Sequence, residues 1–281
     1  MIVVTGATGT IGREVIGILL ADHHKVTAIT RNPSAARFPS GVTVVHGNPS
    51  QPATLPDWAW HGADAVLVSP RAAGNAAAGL LAAAATAAAR RVVVISSLTV
   101  QYPAGESRFA QHFRQVEDAA RASGLAWTCL RCADFDANAL AWAPQIRAAG
   151  VVAGAYPEAA TSPVHQRDVA NVAAQALTVP GQEGKAHVLT GPQSLTQRDK
   201  VAIIGRAIGR QLSFSEVSPD QVRSAMLAQG LPAEVPDRLL GSLADYARQP
   251  GPTSGTVQEL LGRPALTFAD WAASNAAAFR G

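Results

Sequence analysis

Lysine is almost missing from this chain. Only Lys25, Lys185 and Lys200 occur among its 281 residues, and positions 26–184 contain none. Basic charge therefore rests mainly on arginine, which is scattered rather than gathered into a run, and the formal net charge is only +3. Without a basic stripe or tail, nucleic acid is not an expected partner. Cysteine is scarce as well: Cys129 and Cys132 are the whole complement. That excludes a disulfide framework and points to a reducing, cytoplasmic setting. The two form a C-x-x-C, but at the end of an expected strand and with no further ligands spaced for zinc. Both read as small buried hydrophobes, and no metal site is expected. Long apolar runs are lacking too. The Ala-rich stretch over residues 79–89 is far too short to cross a bilayer, so no membrane partner is expected. Met1 runs directly into "IVVTG" without a basic and apolar leader, so no secretory signal is expected. G-x-S-x-G and S-x-x-K are also missing, which removes the serine-hydrolase reading, and the lack of H-x-H or H-E-x-x-H again leaves no structural metal site expected.

What is present begins with core-forming capacity. With 48% hydrophobic and 15% charged residues, the chain can build one large α/β domain with a smaller annex. The most informative segment is "MIVVTGATGTIGREVIGILLADHHKVTAITRNP". Residues 2–5 and 26–30 are short, largely β-branched runs of the kind that form buried strands, and Ile11, Val15, Ile18 and Leu19 between them have helical spacing. Gly6, Gly9 and Gly12 stand between the first strand and the helix as G-x-x-G-x-x-G. A tight turn there needs unusual dihedrals, a pyrophosphate can approach only a backbone without Cβ, and the helix must pack closely on the sheet. The backbone through Thr8, Thr10 and Ile11 would then offer its N–H groups to phosphate at the positive end of the helix dipole. The cofactor expected is a nicotinamide dinucleotide. At the end of the second strand an acidic residue would grip adenosine ribose hydroxyls, but the chain has Thr30-Arg31-Asn32. The planar guanidinium of Arg31 suits a 2′-phosphate, so NADP(H) is expected ahead of NAD(H).

The alternation continues with expected strands over 42–46, 65–69, 92–96 and 127–131 and helices over 72–89 and 108–123. Such units give a doubly wound, Rossmann-like parallel sheet whose ligands bind beyond the carboxyl ends of the strands. That rule places Asn48, Ser69 and Ser96 near the cofactor, although each reads equally well as a loop residue bonding its own backbone. The expected organisation is an NAD(P)-binding domain over 1–150 and a smaller, mostly helical substrate region over 151–281, with 163–192 returning to the sheet. Within the return, Asp168 would cap a helix and "KAHVLTGP" would form a strand.

In content and order, "VTGATGTIG", "AITRNP", "VVVISSL", "VEDAARASGLAWTCLR", "SPVHQRDVANVAAQAL" and "LTFADWAASNAAAF" resemble the atypical, NmrA-like branch of the short-chain dehydrogenase/reductase superfamily over almost the whole chain. The resemblance implies a reductase of quinones, dyes, imines or aromatic metabolites, or a regulator that binds NAD(P) without turnover. It also implies that Gly6, Gly9 and Gly12 hold pyrophosphate, that Arg31 lies near the adenosine ribose and Ser96 near the nicotinamide. The chain departs from the family pattern. Leu130-Arg131-Cys132 replaces L-R-P, and Phe113 stands where relatives often carry a His four residues before the Glu matching Glu117, with His112 beside it. Short-chain reductases usually place a Lys four residues after the catalytic Tyr, whereas Tyr102 is followed at that distance by Glu106.

An unassisted phenol of pKa ~10 is only about 0.1% ionised at neutral pH, a poor base for alcohol oxidation. The chemistry left open is NADPH-dependent reduction of a small, conjugated or aromatic, electron-poor acceptor (quinone, enone or imine) by hydride transfer without a Tyr–Lys pair. Tyr102 and His112 are the candidate proton donors, against packing for the first and a solvated helix face for the second. Phe135, Asp136 and Trp142 are candidate substrate contacts, with Trp58 and Trp60 as further wall residues. Against this, the aromatics read equally as core and Asp136 as the cap of the next helix. The other class is a non-catalytic, redox-sensing NAD(P)-binding regulator. Either would exist as a monomer or homodimer.

Overall fold

The computed structural model describes residues 1–280. In chain order its first half holds β1 (Ile2–Val4), α1 (Thr10–Ala21), β2 (Val26–Thr30), β3 (Val42–His46), β4 (Ala65–Val68), α2 (Pro70–Ala73), α3 (Ala77–Thr86), β5 (Arg91–Ser97), α4 (Ser107–Ala122) and β6 (Ala126–Cys132). There follow α5 (Ala143–Ala149), β7 (Val151–Gly154), α6 (Gln166–Thr178), β8 (Lys185–Leu189), α7 (Gln197–Ile208), β9 (Ser213–Glu216), α8 (Pro219–Ala228), α9 (Glu234–Arg248), α10 (Thr256–Leu261), α11 (Phe268–Ser274) and α12 (Ala276–Phe279). The chain divides into two units.

The first unit comprises Met1–Gln101, Ala110–Cys132 and Gln166–Val188. The seven-stranded sheet has the order β3-β2-β1-β4-β5-β6-β8, with parallel pairing at every junction from β3 to β6. After β3 the chain crosses back to lay β4 on the other side of β1, so the winding reverses between β1 and β4. β1, β2 and β4 are buried at every residue, which is why their sequences run apolar rather than alternate. On one face Val3, Ile29, Val66, Val92 and Val94 pack with Leu80 and Leu81 of α3 and Val116 and Ala120 of α4. Elsewhere in the unit, α6 packs with α1 and with β4, β5 and β6. This is the doubly wound, Rossmann-like fold expected. Three local expectations are corrected. Strand 42–46 was expected to be buried, but only Val45 is, because β3 lies at the sheet edge. The helix over 72–89 breaks at Gly74, whose φ of +54° departs from helical geometry, leaving α2 and α3. Finally, α6 starts at Gln166, so Asp168 is its third residue rather than its cap.

The second unit comprises Tyr102–Phe109, Ala133–His165 and the described chain from Leu189 onward. Its core gathers Ala139, Ala143 and Ile146 with Val201, Ile203 and Ile204 of α7 and Phe268, Trp271 and Phe279 near the C-terminus. Within this core Ala139, Ala143 and Ile146 pack with residues of α7 and α11. Capping boxes at Thr196/Asp199, Ser218/Gln221 and Thr267/Asp270 start α7, α8 and α11. β7 and β9 pair in parallel as a separate ribbon. Among the described residues, no helix is long and apolar enough to cross a membrane, and no group of three or more His, Cys, Asp or Glu could hold a metal ion.

Candidate cofactor and active site

The glycine-rich turn leaves β1 at the point where the winding reverses, where open α/β sheets bind ligands. Gly6 takes a left-handed φ of +62°, and a Cβ there would stand 2.6 Å from Ser69 Cβ. A Cβ on Gly12 would lie 2.4 Å from Gly6 O and 2.8 Å from Ala7 Cα, so α1 rests directly on the turn. Gly9 donates its N–H to Gly6 O at 2.9 Å and forms the helix N-cap, with no side-chain cap and no acidic residue in the first turn. The first-turn N–H groups, Thr10 and Ile11 included, thus meet no carboxylate of this turn, and the positive helix end is left for an anion. Thr8, Gly9 and Thr10 are exposed on it. Thr5 braces the site: its hydroxyl donates to Leu67 O at 2.9 Å and accepts the Ser69 N–H at 2.9 Å. A nucleotide diphosphate fits these residues, because side chains are absent where a Cβ would collide and unengaged donors are present.

Around the cradle, Arg31 is exposed immediately after β2. Neighbouring Asn32 spends its side-chain oxygen on Ser34 Oγ (2.8 Å) and Ala35 N (3.3 Å), building the turn that presents Arg31. Arg13, which sequence reasoning missed, donates to Thr8 O and Arg37 O, each at 3.0 Å, and so ties the glycine turn to the loop after β2. An Arg one position beyond the last motif glycine was the available signal. Asn48 accepts from Ser50 N (3.1 Å) and Ser50 Oγ (2.9 Å), the local turn-building role that competed with cofactor contact. Ser69 lies against Gly6.

Ser96 is buried, and its hydroxyl donates to Glu117 Oε1 at 2.6 Å. Glu117, fully buried on α4, also accepts from Arg131 Nε (3.0 Å), Arg131 Nη2 (2.8 Å) and Arg121 Nη2 (2.7 Å). Burial pushes its pKa up; the Arg131 and Ser96 hydrogen bonds, the Arg131 charge and the Arg121 bond outweigh burial and hold the carboxyl below its ordinary value. Arg131 further donates to Gln101 Oε1 at 2.9 Å. The residue departing from the family pattern beside it, Cys132, is a buried thiol pushed up by burial, and burial together with the Glu117 charge pushes Cys129 up to about 12. Neither is a nucleophile at neutral pH. His112 is half-buried and donates from Nε2 to Pro70 O at 3.2 Å, with its ring edge on Phe113. Trp60 is buried in the core and Trp58 is exposed.

In the second unit Tyr102 is 42% exposed. Phe135 is half-buried and precedes a short 3₁₀ turn (Asp136–Trp142); Asp136 is the buried first residue of that turn, and Phe135 holds the N-cap position expected for it. The Asp136 N–H donates to Val164 O at 3.2 Å. Trp142 packs against the helical core. Sequence reasoning also missed Lys200, a buried lysine whose Nζ donates to Thr161 Oγ1 at 2.6 Å, while Thr161 donates to Asp134 Oδ2 at 3.0 Å. A lone lysine in a helical pattern carries no signal of this.

The family described as NAD(P)H-binding matches residues 6–180. The (4-alkanoyl-5-oxo-2,5-dihydrofuran-3-yl)methyl phosphate reductase of Streptomyces griseus subsp. griseus is 42% identical over 99% of both chains. The NAD(P)H azoreductase of Xenophilus azovorans is 34% identical, again over 99% of both. Among solved structures, the NADPH-dependent quinone oxidoreductase of Escherichia coli in complex with NADPH superposes with a TM-score of 0.80 at 26% identity, covering 98% of this chain and 99% of that one.

Proposed function

The chain belongs to the NAD(P)H-binding family and is an NAD(P)-dependent oxidoreductase; from that premise we propose that it uses NADPH to reduce a small, conjugated, electron-poor acceptor, an activated alkene foremost, without a Tyr–Lys pair. The observation carrying the reading is the cradle at the winding reversal, where a Cβ on Gly6 would collide with Ser69 and one on Gly12 with the turn backbone, so that only glycines let the turn close on the start of α1. Gly6, Gly9 and Gly12 with the backbone of Thr8, Thr10 and Ile11 hold the pyrophosphate, and Arg31 takes the 2′-phosphate. Bound NADPH supplies a hydride.

The absent lysine narrows the acceptor. A simple ketone needs a strong acid at its oxygen as hydride arrives, and positions 26–184 hold no lysine to pair with Tyr102. The compound named for the Streptomyces relative carries a ring C=C conjugated with both a lactone carbonyl and an alkanoyl group. Hydride addition at the β-carbon of such an alkene leaves charge spread over two carbonyls, so proton delivery is undemanding. Quinones and imines share that electron deficiency. The exposed phenol of Tyr102 is the proton donor in this reading. His112 is second, because its Nε2–H is engaged with Pro70 O. Phe135, Asp136 and Trp142 supply the acceptor side.

The test is calorimetric titration with NADPH and NADH, followed by NADPH consumption with a 2-acylbutenolide, a cyclic enone, a benzoquinone and a cyclic imine. NADPH binding with fastest turnover of the acylbutenolide is the expected result. Binding without consumption of any acceptor would return the chain to the regulatory class, and binding of neither nucleotide would end the reading.

A further inference from the structure

Tyr102 enters the second unit with the short segment Tyr102–Phe109, and that segment is gripped by one face of α9. Gly105 donates its N–H to Asp245 Oδ2 at 2.7 Å. Gly105 has φ +69°, and a Cβ on it would lie 2.9 Å from Ser242 N and 2.6 Å from Ser242 Oγ. Gly241 approaches from the same side: a Cβ there would stand 3.4 Å from Gly105 Cα. Four residues past Gly105, the Phe109 ring lies under the Arg238 guanidinium, 4.6 Å from ring centroid to Cζ. Arg238, Gly241, Ser242 and Asp245 are spaced i, i+3, i+4, i+7, a single helix face. Small residues at its centre let the loop backbone touch the helix, while a carboxylate and a guanidinium hold the two ends.

We propose that Asp245 and Arg238 are positioning residues for the reaction, clasping the Tyr102 segment on α9 in place of the fixation that a Tyr–Lys pair would provide. The inference rests on the reductase reading with Tyr102 as proton donor. Position 106, where the lysine would stand, is an exposed glutamate that can lend Tyr102 no positive charge. The loop is instead held through its main chain, by an ionised acceptor. The Gly105 N–H and then the Arg248 ion pair keep the Asp245 carboxyl below its ordinary range, so the acceptor stays charged at neutral pH. Asp245 is half-buried and lies outside the apolar core, so its replacement leaves a folded protein.

The experiment measures Asp245→Ala, Asp245→Asn and Tyr102→Phe, alone and combined, with acceptor kinetics, NADPH affinity and hydrogen exchange at the Gly105 amide. Losing a charge-assisted hydrogen bond should cost about 10-fold or more in kcat, with the Kd for NADPH unchanged. Gly105 exchange should accelerate by a similar factor in Asp245→Ala. Asp245→Asn keeps an acceptor oxygen and should recover part of both. In the Tyr102→Phe background, Asp245→Ala should have little further effect on kcat. Asp237→Asn, on the same helix but bonded to Arg223 of α8 (2.7 Å), should leave Gly105 exchange and kcat as they are. Unchanged Gly105 exchange in Asp245→Ala overturns the clasp, and faster exchange with undiminished kcat, or additive losses with Tyr102→Phe, overturns its catalytic role. A wild type that binds NADPH without consuming it overturns the reductase reading and the catalytic role together, while the exchange data still decide the clasp.

Discussion

One methyl group at Gly12 is enough to test the cofactor site. The added Cβ would press on Gly6 O at 2.4 Å, a backbone atom that cannot swing aside, so α1 must lift from the turn. Gly12→Ala should weaken NADPH binding more than 10-fold by calorimetry, at an overpacking cost of about 1–3 kcal/mol in stability. Arg31 makes a narrower claim. If its guanidinium meets the 2′-phosphate, Arg31→Ala should raise the Kd for NADPH roughly 10–100-fold, the worth of a hydrogen bond to a charged group, and leave that for NADH unchanged. Equal effects on both nucleotides would remove it from the 2′-phosphate. At this scale the glycines were readable, because their spacing records backbone demands that act within a few residues. For Ser96 and Asn48 the sequence left two roles open, because a hydroxyl or amide takes whichever partner folding brings; their side chains bond Glu117, twenty-one residues on, and Ser50 in the same turn.

Among the elements, β5, β6 and α4 are joined through Glu117. Removing the carboxylate leaves two guanidinium groups without their shared partner, so Glu117→Ala should destabilise by roughly 3–5 kcal/mol in denaturant unfolding. The pH dependence has a defined sign. The carboxyl of Glu117 is held below its unfolded value, so its contribution is full above the ordinary glutamate pKa and is lost as pH falls through the lower folded one. Unfolding midpoints of the wild type should therefore drop in acid more steeply than those of Glu117→Gln. Strands and helices were legible here as β-branched runs and 3.6-residue periodicity. The edge position of β3 and the break at Gly74 were not, since the first is set by what lies beside a strand and the second by one residue's dihedral.

For the whole molecule, the relatives are all named as reductases or oxidoreductases, in keeping with an enzyme rather than a regulator. Ligand binding to the native state alone should raise its stability. NADPH at 100 times its Kd adds about 2.7 kcal/mol, enough for a thermal midpoint several degrees higher in scanning calorimetry. A nucleotide without effect on the midpoint would speak against a site formed only in the folded chain. The amino-acid order alone specified a wound α/β sheet, a tight glycine turn after its first strand and the lack of any lysine over positions 26–184, because each depends on residue type at short separation or on plain absence. The division of the chain into interleaved stretches, the burial of Lys200 and the grip of α9 on Gly105 came from packing. They join residues up to 140 positions apart, and no local preference records which distant surface a side chain will meet.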